Sequence, residues 1–332
     1  MKKIVELPLV EPVYSTYHNG AFTAIFKENP SLRNFYLNQV MQLTCTRKFL
    51  FGYTTPEINI VGSALADNPY IETHNFYVKF LKGYINPLIR NLIDNGYYVY
   101  FVGVDDYYIE GKSWYKEKHF IHDGEICGYN QEEKTYCIYA YDKNWIYQKF
   151  WSSQKSFNSG VKSALEQGYP TSICALKPRD IIVEFCPETV VKNIKEYLNS
   201  NFSEYSKFEE GPVFGIAVLD FISMYIDKLY DGSIPYDRMD RRVFRLIWEH
   251  KKIMLERIEK IESSLNIKPL CSEQYKDIVR ESDRLRMLYA AHHMKRRDSV
   301  LPDIRDKLIY IKKQERGILK KFIEKAERRL KK

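Results

Sequence analysis

Two histidines three residues apart, His119 and His122, open the stretch HFIHDGEICGYN at 119–130, and a lone Asp142 closes the segment TYCIYAYD that follows. A histidine serves as a general base when a carboxylate holds its far ring nitrogen, which fixes tautomer and orientation. Alternating apolar and aromatic residues predict strands over 122–129 and 135–142, joined as a hairpin by 130–134. In such an antiparallel pair the first residue of one strand lies beside the last residue of the next, which places His122 next to Asp142. The plainer reading is a half-buried histidine bonded to backbone and an aspartate that merely ends a strand; for an isolated pair it is the stronger one. On a strand, His119 and His122 face opposite sides, which argues against a metal shared by both. His292 and His293 diverge on a basic helix, and Cys127 and Cys137 are read as small apolar residues packed within the sheet.

The elements around these residues are mixed up to about 205. A helix is predicted over 21–29, another over 76–96 interrupted near Pro87, and a strand over 97–104. A helix over 156–168, a strand over 180–186 and a proline-opened helix over 187–201 follow. From about 213 the pattern is helical, over 213–230, 243–265, 271–296 and 303–331, each with one apolar stripe and a charged face. Val243, Ile247, Met254, Ile258 and Ile261 make one such stripe.

The 332 residues, 45% of them hydrophobic, suffice for a sizeable core. Six scattered cysteines without a CxxC pair point to reduced thiols rather than a disulfide framework or a zinc site. No long uncharged apolar window and no signal-peptide pattern is present, so a cytoplasmic protein without a membrane span is expected. The net charge of +8 is uneven: residues 241–332 hold 27 Lys and Arg against 14 Asp and Glu, leaving 24 against 29 in the rest. A salt-bridged helical surface with a positive surplus is the simplest account of that tail. Interspersed acids and the lack of a reading motif weaken a nucleic-acid function.

The order of NGYYVYFVGVDDYYI, HDGEICGYN and IYAYD resembles the papain-like cysteine peptidase fold in its bacteriocin-processing branch, and more closely the family of the butirosin-pathway acyltransferase. VFGIAVLDFISMYI and DRRVFRLIWEHKKIMLERI are similar to helical extensions of relatives of that acyltransferase. The resemblance implies an α+β papain-like core over 1–205, with an antiparallel sheet and an N-terminal helix, and a basic all-helical extension over 206–332. It also implies His122 as base and then acid, with Asp142 as its orienting carboxylate. A thiolate nucleophile is expected at the start of the helix over 21–29, but Tyr14 to Gly20 contain no cysteine and His18 stands in its place. Two explanations compete. Either Cys45, in QLTCTRKF, reaches His122, with Ser15 a weaker substitute, or nucleophilic catalysis has been lost. His18, His122 and Asp142 would converge in this fold; such a set suits zinc or iron, but nothing in the spacing demands a metal, and no cofactor is expected.

The implied activity is amide formation from a carrier-protein-bound thioester and an amine. An acidic acyl or peptidyl carrier protein bearing phosphopantetheine is the partner a basic surface would steer. The competing reading is a catalytically inactive binding or scaffold protein that keeps the fold without the nucleophile.

Overall fold

A computed structural model describes residues 4–9, 25, 29–51, 55–61, 68–81, 83–200 and 211–331. The strands are β1 (Ile4–Glu6), β2 (Leu43–Cys45), β3 (Asn59–Ile60), β4 (Ile71–Tyr77), β5 (Tyr98–Asp105), β6 (Ile121–Asn130), β7 (Thr135–Tyr141), β8 (Tyr147–Ser153), β9 (Ser172–Pro178) and β10 (Val213–Phe214). The helices are α1 (Pro30–Gln39), α2 (Ile85–Asp94), α3 (Gln154–Glu166), α4 (Pro187–Asn199), α5 (Val218–Tyr230), α6 (Val243–Ser264), α7 (Leu270–Lys295) and α8 (Leu301–Leu330). The fold is α+β with antiparallel sheets and a C-terminal helical region. Contacts divide it into two compact units, residues 1–32 with 64–182 and residues 33–63 with 183–332.

The first unit is built on a sheet of order β4–β9–β5–β6–β7–β8, with β1 added to the far end of β6. Every pairing is antiparallel. Val99, Phe101, Ile126, Ile138 and Ala175 alternate onto one face, where they pack with Ile89 and Ile93 of α2 and Phe157 and Val161 of α3. The β5–β6 register shifts between Phe101 and Val104, which puts both Phe101 and Val104 into this core and resets the aim of the residues that follow. Pro87 falls in the first turn of α2, where its missing N–H costs nothing, so it starts a helix rather than interrupting one.

In the second unit the stripe of α6 is buried as its spacing predicts. The expected strand over 180–186 is absent, because no sheet edge takes it up. Its backbone is bonded by side chains of α1 instead: Asn34 donates to Val183 O (2.8 Å), Asn38 donates to Glu184 O (2.9 Å), and Cys186 N donates to Asn38 Oδ1 (3.0 Å). Within the helices Lys251 of α6 and Glu315 of α8 form a fully buried ion pair at 2.9 Å. Tyr197 and Tyr275 hydroxyls also donate to Glu315, so neither of its carboxylate oxygens lacks a donor.

A buried pair broken on one side leaves a stranded charge. Lys251→Met should therefore lower unfolding free energy by about 3–5 kcal/mol in urea titrations, while Lys251→Met combined with Glu315→Leu should recover most of that loss.

Candidate active site

Two aspartates, two histidines and a lysine of the first unit meet where β5 ends and β6 begins. Asp105, the last residue of β5, is fully buried and N-caps the short 3₁₀ turn Asp106–Tyr108, accepting from Tyr107 N at 3.2 Å. It also accepts from Phe120 N (3.1 Å), Ser163 Oγ (2.7 Å) and Gln167 Nε2 (3.3 Å). The remaining partner is His119, whose Nδ1 lies 2.7 Å from Asp105 Oδ2. Burial opposes ionisation of Asp105, but His119, Ser163 and the two backbone N–H groups outweigh it and hold the carboxyl below its ordinary range. An ionised carboxylate only accepts, so Nδ1 carries a proton, and in the neutral ring Nε2 then holds the lone pair.

The ring of His119 stacks on Tyr107, with centroids 4.3 Å apart and planes at 22°. Its side chain is 54% exposed, and among the described residues Nε2 has no hydrogen-bond partner. A buried acid, an oriented imidazole and an open second nitrogen make an arrangement able to accept and return a proton.

Helix α3 holds this arrangement from both ends. At its start Ser153 caps it by accepting from Ser156 N, and Glu110 accepts from Ser153 N (2.7 Å) and Ser156 Oγ (3.0 Å), a carboxylate well placed against the helix dipole. Toward its end Ser163 reaches Asp105. Between them Gly160 lies against β5; a β-carbon there would stand 2.9 Å from Asp105 O and 2.8 Å from Val104 Cγ1.

His122 takes part in a different cluster. Its Nδ1 lies 3.7 Å from Asp106 Oδ2 and 3.5 Å from Lys112 Nζ, and Lys112 lies 3.4 Å from Asp106 Oδ1. Asp106 and Lys112 are both buried, and burial pushes the Asp106 carboxyl up to about 6, against the pull of Lys112. Asp142 has other employment. Its carboxylate accepts from Asn144 N (2.8 Å), Ile146 N (2.9 Å) and Gln148 Nε2 (2.6 Å), closing the turn between β7 and β8. Among the described residues Asp106 is a carboxylate beside His122, and Asp142 lines a cavity of about 370 Å³ together with Lys112, Ser113 and Lys143.

Cys45 lies in the second unit on β2, paired with Val213 of β10, and not at a helix start. Burial pushes its thiol up to about 12, the opposite of what a nucleophile requires. His18, Ser15 and nearly all of the helix over 21–29 fall outside the described residues. Among the described residues no group of His, Cys, Asp and Glu side chains could hold a metal ion, and no helix is long and apolar enough to cross a membrane.

On the sheet face away from α2 and α3, Glu125 is fully buried between Tyr100 and Tyr139 of the neighbouring strands, and among the described residues neither carboxyl oxygen is hydrogen-bonded. Burial pushes its pKa well above the ordinary glutamate value, against the nearby Lys149. No family model matches the chain, and no curated protein matches it.

Two predictions rest on this geometry. Gly160→Ala should destabilise the first unit by about 1–3 kcal/mol, read by thermal or urea unfolding, because the contact is with backbone. Glu125 keeps its proton in the fold longer than in the unfolded chain, so its contribution falls as pH rises above its unfolded pKa and levels off above its folded one. Stability curves of the native chain and Glu125→Gln should therefore diverge above about pH 4.5, the variant being the more stable at neutral pH.

Proposed function

We propose that this protein is an acid–base acyltransferase that joins a thioester-borne acyl group to an amine without a nucleophile of its own. The observation that carries the reading is the His119–Asp105 pair, an imidazole oriented by a buried carboxylate with its other nitrogen open. The amine nitrogen attacks the thioester carbonyl, the C–N bond forms, and His119 Nε2 takes the proton that nitrogen sheds. As the C–S bond breaks, the imidazolium returns that proton to the departing thiolate, so atoms and charge balance. His119 thus takes the part that the sequence assigned to His122, and Asp105 takes that of Asp142. The thioester, its carrier protein and the specialised-metabolite setting come from the resemblance described above. The burial of Cys45 supports the direct route over a covalent acyl-enzyme. The same burial also favours the second reading, a binding or scaffold protein that performs no acyl transfer.

The two separate in one assay. The chain is supplied with a short acyl thioester of pantetheine and a primary amine, and amide is followed by mass spectrometry. Amide formation should fall about 10²–10⁴-fold in His119→Ala, the range for loss of a general base, and survive in Cys45→Ser. Amide formed equally well by His119→Ala removes the proposed base, and no amide above the uncatalysed rate leaves the scaffold reading.

A further inference from the structure

Cys127 and Cys137, read from the sequence as small packing residues, stand in a more particular relation. The β6–β7 register shifts between Ile126 and Gly128, and Cys127 is the extra residue, so that it and Gly128 together oppose Cys137. The bulge brings the Cys127 thiol within 3.6 Å of Cys137 Sγ and 3.5 Å of Cys137 O, two acceptors that its one proton can serve. Adjacent antiparallel strands bring Cα atoms to about 4.5–5.5 Å, within the span a disulfide bridges. Both thiols are buried.

Strand β1 closes over this end of β6. Leu7 N donates to Cys127 O at 2.7 Å, Glu6 is in register with Gly128, and Gly128 has no side chain where a β-carbon would come within 2.5 Å of Val5 O. The strand is three residues long and its Ile4 is 49% exposed, so it is a small unit to open. Its Glu6 pairs with Lys149 of β8 at 2.7 Å. Lifting β1 would withdraw the backbone that lies over Gly128 beside Cys137, and would part Glu6 from Lys149, whose charge acts on the Cys137 thiol.

We propose that Cys127 and Cys137 form a site of reversible oxidation, closed to an intrachain disulfide by a peroxide when β1 opens. Cys137 is the attacking sulfur: the Cys127 thiol is placed to donate to it, which favours its thiolate, and Lys149 acts in the same direction, against burial and against Glu6 until β1 opens. The thiolate attacks a peroxide oxygen, the O–O bond breaks, and the departing hydroxide takes up the proton that the Cys137 thiol shed, so that a sulfenic acid and water result. Cys127 sulfur then attacks that sulfur, the S–S bond forms, and the hydroxyl leaves with the Cys127 proton as a second water. Two thiols are oxidised, one hydrogen peroxide is reduced to two waters, and a thiol reductant reverses the step. Drawing the sulfurs from 3.6 Å to about 2.0 Å tightens the bulge in the strand that begins beside His119.

The experiment treats the native full chain with hydrogen peroxide, alkylates the remaining thiols and maps the peptides, with far-UV circular dichroism recorded throughout. The expected product is a dithiothreitol-reversible link between Cys127 and Cys137 in folded protein, formed severalfold faster in Glu6→Gln and severalfold slower in Lys149→Met. In Cys127→Ala the sulfenic acid at Cys137 should persist and react with dimedone. The proposal is overturned if both thiols are still alkylated after Cys174 and Cys186 have been oxidised, if Cys137 goes to sulfinic acid without a link, or if the link forms only as the dichroism is lost.

Discussion

A single buried carboxylate organises the first unit. Asp105 has no exposure to water, and its ionisation is sustained by donors from four places in the chain: the turn that follows it, the start of β6, the body of α3 and the imidazole of His119. Transferring an unpaired carboxylate into such a place would cost several kcal/mol, so these donors are a condition of the fold as well as of any chemistry. The same bonds fix the direction of β5 where it leaves the sheet and the seat of α3 upon it.

That dependence explains the irregularities nearby. The register shift at Phe101–Val104 turns the strand end; Gly160 lets α3 approach the backbone there; Glu110 and Ser153 fix the helix start from which Ser163 is measured. Asp106, the next residue, points elsewhere and makes a second ionic cluster with Lys112 and His122. Two consecutive acids thus serve two histidines three residues apart, each taking one partner. The change from extended backbone at Asp105 to the 3₁₀ turn that starts at Asp106 turns the two side chains apart.

Much of the sheet was legible. Strands β5, β6 and β7 announce themselves because their inward positions alternate with polar or aromatic ones, and the long helices because their stripes repeat. Strands β4, β8 and β9 carry weaker signals: IETHNFY and YQKFWSS lie at the two edges of the sheet without a clean apolar alternation, and SICALKP is short and carries none. The segment 180–186 has a strand's composition but finds side-chain amides in place of a neighbouring strand. For the site, the end of one strand does meet the start of the next, but at β5–β6 and not at the hairpin β6–β7. That meeting joins VDD at 104–106 with HFIH at 119–122, the pairing observed. Choosing between the hairpins required knowing that Asp142 is consumed by its own turn and that α3 closes over Asp105, which are tertiary facts.

The most direct measurement of the central claim is the protonation of one ring. Long-range ¹H–¹⁵N correlation spectra of the histidines, with His119 assigned by substitution, report which nitrogen bears hydrogen. At a pH where the ring is neutral, the account predicts a single tautomer with the proton on Nδ1, protected and shifted downfield by the Asp105 carboxylate, and a bare Nε2. A proton on Nε2, or the averaged signals of two freely exchanging tautomers, would contradict it.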